Sequence, residues 1–103
     1  MTSPWNDVEI VIVGAGTMGA SLAQNYAQNG FEVGLLDVSD DILRRGLGVI
    51  DRELESAKGK IFSPAEISAI RGRIRTTTSY EEACGGKGLR LVIEAATERI
   101  DVK

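Results

Sequence analysis

The segment from Glu9 to Gly30, EIVIVGAGTMGASLAQNYAQNG, restricts the fold of this chain more than any other. A run of β-branched residues enters three closely spaced glycines and leaves with apolar residues at helical spacing. A run such as VEIVIV, Val8 to Val13, lacks the alternation of a half-solvated strand, so it reads as a strand buried on both faces. Thr17 to Asn29 reads as a helix with Met18, Leu22, Tyr26 and three alanines on its apolar face, and Gly30 stops it. A buried strand turning sharply into a helix belongs to a parallel sheet with crossover helices.

The rest of the chain continues the alternation. Phe31 to Asp37 reads as a second strand, and Ser39 can cap a helix from about Asp40 to Lys58 that Gly59 ends. In SPAE, Ser63 takes the cap position, Pro64 the first helical position and Glu66 the capping-box position of a short helix to about Ile70. Ile74 to Thr77 is a weak third strand, and Ser79 can cap a helical turn through Ala83. CGGKG is a loop, Leu89 to Ala96 a fourth strand, and Glu98 to Lys103 the start of a further helix. The order β-α-β-α-α-β-α-β predicts an α/β, doubly wound parallel sheet, with a helical hairpin between strands two and three. Two full halves of such a fold hold about six strands. Residues 1–103 supply one half and strand four, so the sheet is expected to be incomplete.

The glycines are Gly14-Ala15-Gly16-Thr17-Met18-Gly19, a G-x-G-x-x-G. Alone, the pattern fits any tight strand-to-helix turn. Here it follows a strand, opens a helix and is followed at about the ~20-residue spacing of dinucleotide sites by an acidic residue, Asp37. Gly14 permits the turn, Gly16 lets a pyrophosphate approach the backbone, and Gly19 lets the helix pack on the sheet. The helix N-terminus offers free N–H groups and the positive end of its dipole to phosphate. A carboxylate at Asp37 can accept from adenosine ribose hydroxyls and would repel a 2′-phosphate, which favours NAD over NADP. The plainer reading makes Asp37 part of a cap for the next helix. FAD proteins share the fingerprint, so a flavin is a lesser alternative. Glu94, Glu98 and Lys103 fall at or after the end of strand four, where ligands of doubly wound sheets lie. Glu98 can equally serve as a charge at a helix N-terminus.

Composition removes other classes. Net charge is -3, and no basic stripe offers a nucleic acid or an anionic membrane a footprint. No apolar run approaches the roughly 20 residues of a membrane span. The first residues, MTSPWNDVE, lack the basic and apolar regions of a secretory leader, so a cytoplasmic setting is expected. The single Cys84 can form neither an internal disulfide nor a metal site by itself, and no metal is expected. There is no histidine, the commonest general base near neutral pH.

Three stretches, VGAGTMGASLAQNYAQNGFEVGLLDVSDDIL, RIRTTTSYEEA and LVIEAATERIDVK, together resemble the NAD-binding domain of the L-3-hydroxyacyl-CoA dehydrogenases, with the bacterial 3-hydroxybutyryl-CoA enzymes nearest in character. The resemblance runs from Val8 to Lys103 and implies a Rossmann-type domain of fatty acid metabolism. It implies oxidation of L-3-hydroxyacyl-CoA to 3-ketoacyl-CoA with NAD. Gly14 through Gly19 would hold the pyrophosphate, Asp37 the adenosine ribose, and Glu98 and Lys103 the nicotinamide end. Lys60 matches a lysine that contacts acyl-CoA, though a solvated surface lysine fits as well. The family's histidine base, with its Glu, Ser and Asn partners and a helical substrate domain, has no counterpart in residues 1–103. The chain is therefore expected to be a fragment that is inactive alone. The partners implied are acyl-CoA and a second subunit, or self-association through the open edge at Leu91, Val92 and Ile93. Alternatives are a relative acting on carnitine or gulonate, and a stand-alone dinucleotide-binding regulatory module.

Overall fold

The computed structural model describes residues 4–95. A short 3-10 turn, Pro4–Asp7, precedes β1 (Ile10–Val13), α1 (Thr17–Gln28), β2 (Val33–Leu36), α2 (Asp40–Ala57), α3 (Pro64–Gly72), β3 (Ile74–Thr77), α4 (Tyr80–Cys84) and β4 (Leu91–Glu94). The strands form one parallel sheet in the order β3-β2-β1-β4. The strand order reverses at β1, and two helices separate β2 from β3, as the sequence predicts.

The strands are shorter than their apolar runs. The Val8 amide bonds the Trp5 carbonyl at 3.2 Å, so the turn at Pro4–Asp7 takes the residue that would have begun β1. At the other edge, Arg90 and Leu91 amides share the Glu9 carbonyl at 2.8 and 3.2 Å, and the ladder with β1 begins only there. Ala96 and the helix expected at 98–103 lie outside the described residues.

Alternation along β1 and β2 builds two clusters. Ile10, Ile12, Val33 and Leu35 point to one face and pack with Ala20, Ala23 and Ala27 of α1 and with Leu43, Ile50 and Leu54 of α2. Small residues on α1 let it lie close to the sheet. Met18, expected on the apolar face of that helix, is instead 49 % exposed, because the alanines occupy the contact. Val11 and Leu36 point to the other face and pack with Trp5, Val8 and Ala83. Trp5 lies over Gly34 in the middle of β2, where a Cβ would run into its indole ring. The loop after α4 is fastened to the same turn, for the Gly88 amide bonds the Asn6 carbonyl at 3.1 Å and the Lys87 amide the Asn6 Oδ1 at 3.0 Å.

Three helices start on serine caps. Ser39 Oγ accepts from the Ile42 amide, Ser79 Oγ accepts from the Glu82 amide, and Ser63 and Glu66 form a reciprocal capping box. Each such cap is worth about 1 kcal/mol. α1 is different: Gly16 stands at its cap position and contributes no side-chain bond.

Candidate dinucleotide site

Gly14 leaves β1 at a φ of 106°, a conformation open to glycine and costly to side-chained residues. Its amide bonds the Leu36 carbonyl at 2.7 Å, which holds the turn against the end of β2. A Cβ on Gly19 would strike the Gly14 carbonyl oxygen, so helix and turn meet without room for a side chain. Gly16 is the reverse case. It is exposed, and a Cβ there would meet nothing within 4 Å. The fold itself does not require glycine at Gly16; it leaves space over the first turn of α1, where the amides have no side-chain acceptor. That combination fits a phosphate group.

Asp37 follows β2 and is half-buried. Its Oδ2 accepts from the Ala15 amide at 2.9 Å, and its Oδ1 accepts from the Ser39 amide at 3.3 Å. Ser39, not Asp37, caps α2. Asp37 thus ties the glycine loop to the end of β2 while each carboxylate oxygen keeps a lone pair for a further donor. No arginine or lysine side chain bonds or pairs with it among the described residues.

The structure brings Gly14, Ala15, Gly16, Thr17, Met18, Gly19 and Asp37 together at the carboxyl ends of β1 and β2. It does not bring Lys60 there. Lys60 sits exposed in the turn after α2, at the far end of an 18-residue helix. Glu94 ends β4, exposed, while Glu98 and Lys103 lie outside the described residues.

One feature was not read from the sequence. A cleft of about 710 Å³ runs from Ala15, Gly16 and Thr17 along the face of α2 that carries Ile42, Arg45, Val49 and Arg52. Gly46 brings the two walls together, since a Cβ there would stand 2.7 Å from the Ala15 carbonyl oxygen. The spacing of those four residues marks a single helical stripe. That stripe was the available signal, but a charged helix face alone does not announce a cleft, which needs a second wall.

Among the described residues, no helix is long and apolar enough to cross a membrane, and no group of three or more His, Cys, Asp or Glu residues could hold a metal ion.

The family model described as "3-hydroxyacyl-CoA dehydrogenase, NAD binding domain" matches residues 9–103. A Deinococcus radiodurans protein named probable 3-hydroxybutyryl-CoA dehydrogenase is 37 % identical over 94 residues, which cover 89 % of this chain and 32 % of that protein. The 3-hydroxyadipyl-CoA dehydrogenase of Escherichia coli K12 is 34 % identical over 96 residues, covering 91 % and 19 %. The crystal structure of (S)-3-hydroxybutyryl-CoA dehydrogenase from Ralstonia eutropha superposes with a TM-score of 0.79 at 35 % identity, covering 90 % of this chain and 32 % of that one. The chain spans a third or less of the length of these relatives.

Proposed function

This chain belongs to the family of NAD-binding domains of the 3-hydroxyacyl-CoA dehydrogenases, and from that we propose that it forms the cofactor-holding part of an enzyme oxidising L-3-hydroxyacyl-CoA to 3-ketoacyl-CoA, with 3-hydroxybutyryl-CoA as the first substrate to try. The observation that carries the reading is the glycine loop of a matched NAD-binding domain tied at 2.9 Å to Asp37. In this reading the amides of the loop and of the first turn of α1 hold the pyrophosphate. Asp37 accepts from the adenosine ribose hydroxyls with the lone pairs that Ala15 and Ser39 leave. Glu98 and Lys103 contact the nicotinamide end, and Lys60 contacts acyl-CoA. NAD, when bound, supplies the hydride acceptor. The 103 residues hold no histidine, so in this proposal the proton acceptor comes from elsewhere in the protein, and the 103 residues by themselves show no turnover. A cytoplasmic setting suits a chain with one cysteine.

Calorimetric titration tests the cofactor role. NAD should bind at least about tenfold more tightly than NADP, the scale of one charge-assisted hydrogen bond gained or one repulsion avoided. Asp37→Ala should weaken NAD by about ten- to a hundredfold on the same grounds and close the gap to NADP. A wild-type preference for NADP would overturn the role given to Asp37.

A further inference from the structure

The glycine loop, GAGTMG, carries no charged side chain, so it can meet a phosphate only with backbone amides and the Thr17 hydroxyl. Successive amides form an anion site when their peptide planes converge, and binding is tighter when that convergence exists before the anion arrives. The Ala15 peptide bonds are held at both ends. The amide of Ala15 is taken by Asp37 Oδ2 at 2.9 Å, which leaves it for orientation rather than for a ligand. The carbonyl of Ala15 faces α2 at Gly46, where a Cβ would stand 2.7 Å from its oxygen. Ala15 itself is buried.

Two glycines, Gly46 and Gly48, stand inside α2, where alanine would make the steadier helix. At Gly48 there is room, for a Cβ would meet Arg52 Nη1 at 3.7 Å, an ordinary contact. At Gly46 there is none, and the obstacle is backbone rather than the end of a flexible side chain. A side chain at Gly46 would therefore shift the Ala15 peptide or the helix. Asp37 also reaches α2, because its Oδ1 accepts from the amide of Ser39, the cap of that helix, at 3.3 Å. The contacts close on themselves: Asp37 to the Ala15 amide, the Ala15 carbonyl to Gly46, and the start of α2 back to Asp37.

We propose that Asp37 and Gly46 are positioning residues for the phosphate cradle, fixing the Ala15 peptide and through it the direction of the amides at Gly16, Thr17 and Met18, a proposal that rests on the dinucleotide reading above. Asp37 then serves the pyrophosphate as well as the ribose, and it does so against its own charge. A carboxylate beside the loop repels a phosphate. Its charge and its tie to Ala15 therefore act on phosphate with opposite signs, which makes them separable. Removing the charge alone favours phosphate, and removing the tie opposes it.

The test titrates the full protein by calorimetry with inorganic pyrophosphate, which has no ribose, and in parallel with NAD. Asp37→Ala loses charge and tie together and should weaken pyrophosphate about three- to tenfold, the scale of one hydrogen bond. Asp37→Asn keeps an acceptor for the Ala15 amide and loses the charge, so it should bind pyrophosphate at least as tightly as wild type. Gly46→Ala leaves Asp37 intact and should weaken pyrophosphate and NAD by the same factor, whereas Gly48→Ala should keep both within about twofold. Circular dichroism confirms that each variant is folded, and the two Asp37 variants decide the matter if Gly46→Ala is not. Pyrophosphate bound equally or more tightly by Asp37→Ala, a loss in Asp37→Asn as large as in Asp37→Ala, or wild-type binding by folded Gly46→Ala would each overturn the assignment. Weaker NAD with unchanged pyrophosphate in Asp37→Ala would leave the ribose role standing and remove the positioning role. Wild-type protein that binds neither ligand would overturn the dinucleotide reading itself and the proposal with it.

Discussion

β2 and β4 flank the same strand, β1, in the same parallel direction, yet they meet different surroundings. All four residues of β2 are buried. In β4, Leu91 is 46 % and Val92 38 % exposed, and only Ile93 of the strand packs against the larger cluster. Their ladders are alike, so backbone pairing does not decide burial. What covers the sheet does. β2 lies under α1 and α2 on one face and under Trp5 on the other, whereas β4 pairs with β1 alone and borders the sheet among the described residues.

The largest effect should come from the covered strand. Leu35→Ala empties a site at zero exposure in the larger cluster and should cost about 3–4 kcal/mol in chemical denaturation. Trp5→Ala should come next, at about 3 kcal/mol, because its cluster is smaller and open to relaxation. Trp5 is also the sole tryptophan, so its fluorescence reports the second face alone. A urea transition by fluorescence that precedes the far-ultraviolet circular dichroism transition would show that this face opens first. Coincident curves would show the two faces acting as one unit. Val92→Lys should change stability by less than about 0.5 kcal/mol, as surface positions do. It should also lower any self-association seen by sedimentation, because a lysine on an edge strand obstructs pairing with another chain. A cost for Val92→Lys equal to that of Leu35→Ala would break the contrast between the strands.

The same contrast shows what the sequence could convey. Apolar runs in β1 and β2, the serine caps and the positions of Gly14 and Gly19 are local matters of period, cap chemistry and backbone shape, and they were legible. The burial of Trp5 was not, because it depends on contacts with Gly34 of β2 and with Gly86 of the loop after α4. A glycine in the interior of a buried strand was the readable hint that something bulky lies over it. At the candidate site, the glycine pattern and Asp37 could be placed from spacing, but not the bond between Asp37 and the Ala15 amide. It depends on how far β2 extends beside the turn. The cleft beside α2 stayed hidden for a related reason: it exists only where a second wall faces the helix, and that wall comes from Gly46 packing against Ala15.

The reversal of strand order at β1 carries a consequence for how the molecule assembles. Ile10 pairs with Val33 across a loop of roughly twenty residues, but with Leu91 across one of roughly eighty. Closing the longer loop costs about 1 kcal/mol more in chain entropy. The pairing that shapes the phosphate cradle, β1 with β2 and the Asp37 tie between them, is therefore the cheaper to form. Contacts of short sequence separation also form fastest. The chain can shape its cradle before β4 arrives, so a ligand seated there would act as a template on which β4 is laid.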